Sequence, residues 1–212
     1  MYRLFYYPNN ASLAPHLVLR ELGVEYELVL VDKELDAHKS PAYLELNPAG
    51  RIPTLVDGSL VLFESPAICM HLCEAHPEKG LMPSLGSPLR PLFYQWLSYL
   101  NNTLQAELMV YYYPQRHCSD EHSIASVVAA QEKRIAESLS ILNARLEGRP
   151  FLLGDKLSAC DFFFFMLAEW SLDIEQSPLD FEHLRGYLRT LAQHPTVLAV
   201  CEAENIDIGR FV

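Results

Sequence analysis

The stretch Asn47-Pro48-Ala49-Gly50-Arg51-Ile52-Pro53-Thr54-Leu55 restricts the fold more than any other part of this chain. Pro48 fixes φ and Gly50 permits positive φ, so the segment opens as a tight turn. Pro53 then heads a short apolar run. A proline has no N–H to give a sheet, which leaves it a strand start, an edge position or a cis bond. Each of these leaves the main chain of Ile52 open to pairing with an extended peptide. Asp57-Gly58 follows between apolar runs, a hairpin signal that pairs residues 54–56 with 60–63. Ser65 is then expected to cap a helix and Pro66 to take its first position. A helix start offers free N–H groups and the positive end of a dipole to a carboxylate. Glu64 beside it suits an ammonium, so the local chemistry fits a small zwitterionic peptide.

The flanking segments build an α/β unit around this turn. The aromatic run Leu4-Phe5-Tyr6-Tyr7 reads as a strand. Leu13, Leu17, Leu19 and Leu22 have helical spacing, Pro15 is tolerated in the first turn, and Gly23 is a C-cap. Residues 26–31 form a second strand, and the β-α-β order requires parallel pairing. A weak helix at Pro41–Leu46, the hairpin and a helix from Pro66 to about His76 complete β-α-β-α-β-β-α, an order that resembles a thioredoxin-like domain. Pro77 to Pro91 carries four prolines and two glycines and reads as a linker. The expected division is 1–77, a linker at 78–90, and an all-helical domain over 91–212. In that second half, residues 92–113 form a long helix stopped by Pro114, and Ile124–Leu146 form another. Ser158 and Asp161 stand as a capping pair ahead of the apolar run 162–167, predicted to be a buried axis. Residues 181–192 and 196–204 supply two more helices.

The pattern Asn-Pro-x-Gly-x-Ile-Pro-x-Leu, followed by Glu-Ser-x-Ala-Ile, resembles the glutathione-binding domain of cytosolic glutathione transferases, with bacterial beta-like and theta- and delta-like features. The resemblance covers nearly the whole chain. It implies that Pro53 is cis, that Ile52 pairs its backbone with the cysteinyl part of glutathione, and that Glu64 and Ser65 hold the γ-glutamyl end. His38-Lys39-Ser40-Pro41 resembles a theta- and delta-class His-x-x-Pro segment whose histidine binds the glycyl carboxylate, with Lys39 and Arg51 as further cations. Pro8 to His16 resembles the beta-class turn, but Ala11 stands where that class has cysteine, so a mixed disulfide with glutathione is excluded there.

The reaction so implied is attack of the glutathione thiolate on a small hydrophobic electrophile. A free thiol with pKa about 8.5 needs a donor to be ionised at neutral pH. The first strand–helix turn offers Ser12, the first choice, and Asn10, the second, with a tyrosine hydroxyl behind them. Tyr111, Tyr112 and Tyr113 close a helix expected to line the electrophile pocket. Two other readings share the scaffold: a glutathione-dependent disulfide or peroxide reductase, and a non-catalytic binding protein. The family resemblance also implies a homodimer with the Glu64–Ser65 helix near its interface.

Composition sets the outer limits. Among the 212 residues 50% are hydrophobic, ample for a core, and the net charge of −11 argues against nucleic acid or an anionic membrane as partner. Glutathione is itself anionic, so the site needs local positive groups. The 5 cysteines are odd in number and form no Cys-x-x-Cys pair, which fits a reduced cytoplasmic protein. Cys69 and Cys73 share a helix face and are expected to pack. His16, His71 and His76 lack metal-ligand spacing, so no metal is expected. No apolar run approaches membrane length and no signal peptide is visible.

Overall fold

The computed structural model describes residues 1–211. Four strands, β1 (Tyr2–Tyr6), β2 (Tyr26–Leu30), β3 (Thr54–Asp57) and β4 (Leu60–Phe63), form one sheet in the order β2-β1-β3-β4. β1 pairs parallel with β2, and antiparallel with β3, which pairs antiparallel with β4. Between β1 and β2 runs α1 (Leu13–Leu22), closed by Gly23 at φ 66°, whose N–H bonds the Arg20 carbonyl. The short α2 (Pro41–Leu46) precedes β3, and α3 (Ser65–Ala75) follows β4. The hairpin loop is Gly58-Ser59 rather than Asp57-Gly58, because Asp57 stays in register opposite Leu60.

Strand alternation separates two apolar layers. Leu4 and Leu55 enter the main core with α1 and α3, while Phe5 on the opposite face packs with Val31, Tyr43 and Ile52. Cys69 and Cys73 lie in the main core as free thiols, and burial pushes both up, Cys73 to about 12. The three helical histidines are engaged structurally: His16 with Glu204, His71 with Asp57 and His76 with Tyr2.

The rest is helical: α4 (Arg90–Tyr99), α5 (Ala106–Tyr112), α6 (Ile124–Leu146), α7 (Ala159–Trp170), α8 (Glu182–Ala192) and α9 (Pro195–Glu204). The long helix expected over 92–113 is interrupted by a π-helical turn, Leu100–Gln105, between α4 and α5. Leucine, asparagine and threonine spacing carries no signature for that extra residue in the turn. α7 is buried from Ala159 to Glu169, as the apolar run predicted, and packs against α1 and α3 as well as α4.

Asp161 anchors this axis. It is 0% exposed, and each carboxylate oxygen accepts two hydrogen bonds at 2.8 Å. The Leu152 N–H and Tyr187 hydroxyl donate to Oδ1, the Ser158 N–H and hydroxyl to Oδ2. Burial pushes the carboxyl up, and these donors oppose the shift.

Candidate active site

Sheet register gathers the expected site residues at one end of the sheet. Tyr6 lies opposite Leu30, Phe5 opposite Thr54, and Thr54 opposite Phe63. The end of β1, the end of β2, the start of β3 and the end of β4 are therefore neighbours. The turn 7–12, the 31–46 segment, Ile52-Pro53 and Glu64-Ser65 all leave the sheet from that end.

The turn after β1 is tied from several sides. Ser12 is 0% exposed; its Oγ–H donates to the Tyr7 carbonyl at 3.1 Å and its oxygen accepts the Tyr7 N–H at 3.3 Å. It makes no side-chain cap for α1. Asn10 takes the Leu13 N–H on its carbonyl at 2.8 Å, and its Oδ1 accepts the Ala11 N–H at 2.9 Å. That second bond fixes which end of the amide is oxygen. The Asn10 amide N–H groups have no partner among the described residues.

Ser65 does not cap α3, contrary to expectation. It is already the first residue of the helix, and its hydroxyl donates to the Ala11 carbonyl at 2.7 Å. Glu64 occupies the cap position instead, at φ 73°, again without a side-chain cap bond. The N–H groups of Ser65 and Ala67 take no partner among the described residues. The start of α3 therefore keeps free donors beside the exposed Glu64 carboxylate.

The third corner is the Asn47–Pro53 turn, with a cis Ile52–Pro53 bond. Gly50 has φ 56°, and a Cβ there would meet Lys39 Nζ at 2.8 Å and the His38 carbonyl at 3.0 Å. Glycine is thus required both by conformation and by the close approach of the 38–39 segment. Lys39 Nζ donates to the Gly50 carbonyl at 2.8 Å. His38 Nδ1 is buried with no partner among the described residues. The Arg51 side chain is exposed, while its carbonyl accepts from the Tyr43 hydroxyl at 2.7 Å and Asn47 Nδ2 at 2.8 Å. Beyond that clamp, the N–H and carbonyl of Ile52 make no hydrogen bond among the described residues, although its side chain is buried.

Sequence reasoning missed Tyr43 and the Asn47 side chain as the supports of Arg51. The Asn-Pro pair signals the turn, but nothing local reveals that a tyrosine from α2 braces it. The tyrosines of α5 are unequal. The Tyr112 hydroxyl donates to the Trp170 carbonyl, and the Tyr113 ring lies 4.1 Å from the Arg116 guanidinium. Tyr111 packs on the main core and its hydroxyl has no partner among the described residues. No hydrogen bond joins these three to the residues at the sheet end among those described. Ser158 and Asp161 belong to the α7 start and lie outside the site. No group of three or more His, Cys, Asp or Glu is placed to hold a metal among the described residues.

A thioredoxin-like domain with its open Ile-cis-Pro edge, followed by a helical domain, defines the class of this protein. The profile "Glutathione S-transferase, N-terminal domain" matches residues 1–74, and "Glutathione S-transferase, C-terminal domain" matches 104–195. The chain is 28% identical over 208 residues to glutathione S-transferase GstA of Escherichia coli O157:H7, covering 96% of this chain and 99% of the relative. It is 34% identical over 158 residues to glutathione S-transferase 3 of Zea mays, covering 73% and 69% of the two chains. A sphingomonad glutathione S-transferase solved in complex with glutathione superposes with a TM-score of 0.84 at 29% identity, over 96% of this chain and 99% of that one. The chain belongs to the glutathione S-transferase family.

Proposed function

We propose that this protein binds glutathione at the sheet end and directs its thiolate at small hydrophobic electrophiles. The observation that carries this is the convergence of three unsatisfied sets of groups: the Ile52 main chain, the α3 N–H groups with Glu64, and the Asn10 amide. An extended tripeptide satisfies all three. Its cysteinyl unit pairs with Ile52, its γ-glutamyl carboxylate meets the start of α3 and Ser65, and its ammonium meets Glu64. Lys39 and Arg51 then supply positive charge at the glycyl end, offsetting the acidity of the chain, and His38, whose buried Nδ1 has no partner among the described residues, lies beside them. Glutathione in the related sphingomonad structure supports the same ligand here.

For the sulfur, Asn10 is the better donor than Ser12. The Ser12 hydroxyl is spent on Tyr7, whereas Asn10 presents unpartnered N–H groups at the mouth of the turn. Residues 1–77 form the glutathione-binding part in this reading, 78–90 the linker, and 91–212 the part that contributes the pocket for the electrophile. Tyr111, with Tyr112 and Tyr113 beside it, frames that pocket. Saturable glutathione binding by calorimetry, together with conjugation of an aryl halide, tests the function; absence of binding at millimolar glutathione refutes it. Ser65→Ala is expected to weaken glutathione binding about tenfold, because it releases the Ala11 carbonyl from the start of α3, where the Ser65 N–H meets the ligand carboxylate, at a cost of about 1–1.5 kcal/mol. An unaltered dissociation constant would take Ser65 out of the site.

The protein is also proposed to be a cytoplasmic homodimer. Its five unpaired cysteines support the reducing compartment. Leu60, Val61 and Phe63 are exposed on the edge strand β4, next to a groove of about 150 Å³ between α3 and α4 lined by Pro66, Met70, Tyr94 and Leu97. Apolar surface of this kind is characteristic of a subunit interface. Sedimentation equilibrium is expected to give twice the chain mass, and a monomer mass would overturn the assignment.

A further inference from the structure

Asn9 is the residue through which the helical half grips the turn before α1. It sits at φ 49°, and its N–H donates to Glu204 Oε2 at 2.9 Å. Glu204, on α9, is 2% exposed. Its other oxygen lies 2.7 Å from His16 Nδ1, and His16 Nε2 lies 3.1 Å from the Tyr26 hydroxyl. The chain Tyr26–His16–Glu204–Asn9 thus runs from β2 through α1 to α9 and back to the turn. Glu169 of α7 is also buried and is paired with Arg210 at 3.3 Å. Arg210 in turn bonds Asp173 at 2.6 Å. Arg20 beside Tyr26, and Cys201 beside both carboxylates, complete the ionisable surroundings.

Burying a carboxylate is costly unless it is closely partnered. Docking α9 onto α1 does not require one, since Thr196 already donates to Glu21 across the same pair of helices. What Glu204 adds is direction. His16 and Tyr26 orient it from one side, and its remaining oxygen faces the Asn9 N–H. Ser12 secures the Tyr7 flank of the turn, Ser65 secures Ala11, and Glu204 secures Asn9 between them. The Asn10 amide nitrogen is left free.

Given the role proposed above for Asn10, we propose that Glu204 is a positioning residue for thiolate stabilisation: it holds the Asn9 N–H so that the Asn10 amide is aimed at the glutathione sulfur. Glutathione itself is gripped elsewhere, at Ile52, Glu64 and Ser65. Loss of Glu204 therefore acts on ionisation of the bound thiol far more than on affinity.

The test is titration of bound glutathione by thiolate ultraviolet absorbance, with steady-state kinetics on the same proteins. Glu204→Ala is expected to raise the thiol midpoint by about one pH unit, about tenfold less thiolate below it. The KM for glutathione should stay within about twofold, so that the loss falls on kcat. Glu204→Gln keeps an oxygen for the Asn9 N–H and should restore most of the shift. Thr196→Ala, which loosens the same helix pair without touching the turn, should leave the midpoint unchanged. If Glu204→Ala does not fold, Glu204→Asp withdraws the carboxylate from Asn9 and carries the same expectation. An unmoved midpoint in the Glu204 variant, with Asn10→Ala shifting it, overturns the positioning role and leaves Asn10 in place. An equal shift in Thr196→Ala also overturns it, by reducing Glu204 to general support of α9. No shift in Asn10→Ala removes the reading beneath it.

Discussion

Replacing Asp161 with alanine is expected to lower the unfolding free energy by about 4 kcal/mol, within the range for breaking a buried, fully partnered charge. Four donors converge on this carboxylate, two from Ser158 at the start of the central helix, one from Leu152 ahead of it and one from Tyr187 on α8, all of them buried. The alanine leaves them without an acceptor and opens a void beside Tyr187. For a chain of this length the melting temperature should fall by on the order of 10 °C. Asp161→Asn retains the shape but keeps only one acceptor oxygen, so two of the four donors lose their partner and about half the effect, ~2 kcal/mol, should remain. Urea unfolding of the three proteins checks both figures. A loss below about 1 kcal/mol in the alanine variant would show that the helix start is held by packing alone.

Asn10→Ala is expected to lower kcat/KM for conjugation by on the order of 10²-fold, the usual cost of removing one donor aimed at a reacting anion. The same variant should raise the pKa of bound glutathione, seen as later appearance of thiolate absorbance. Ser12→Ala separates the two candidates. It breaks the link from Ser12 to Tyr7, so it should cost about 1–2 kcal/mol in stability while leaving the thiol titration in place. The opposite pattern, with ionisation altered by Ser12→Ala and untouched by Asn10→Ala, would return the role to Ser12.

That reversal illustrates which features are legible in a sequence. Elements governed by local chemistry were readable almost to the residue: α1 from its leucine spacing and Gly23, α2 as the weak helix at Pro41–Leu46, and the capping pair of α7. The Asn47–Pro53 turn was equally plain, since glycine and proline restrict the backbone whatever surrounds them. Side chains whose partners are distant in sequence were not. Ser12 and Ser65 are good capping residues by type, yet both hydroxyls turn to carbonyls of the β1–α1 segment. Tyr43 and Glu204 carry no motif at all, and their positions follow only from how α2 and α9 pack. The π turn was hidden for another reason: its buried Leu100 and Leu104 have the spacing of an ordinary helix.

That turn has a bearing on how such a protein can diverge. Successive residues of an α-helix are rotated by about 100° around its axis. Excising a single residue from Leu100–Gln105 would relax the segment to regular α geometry with α4 and α5 keeping their present faces, because the wider turn already absorbs one extra residue. The helix axis would stay where it is. The loss of one codon there would leave Tyr111, Tyr112 and Tyr113 facing as they do now, whereas the same loss within α4 would turn all three by about 100° and present a different surface to whatever enters the pocket.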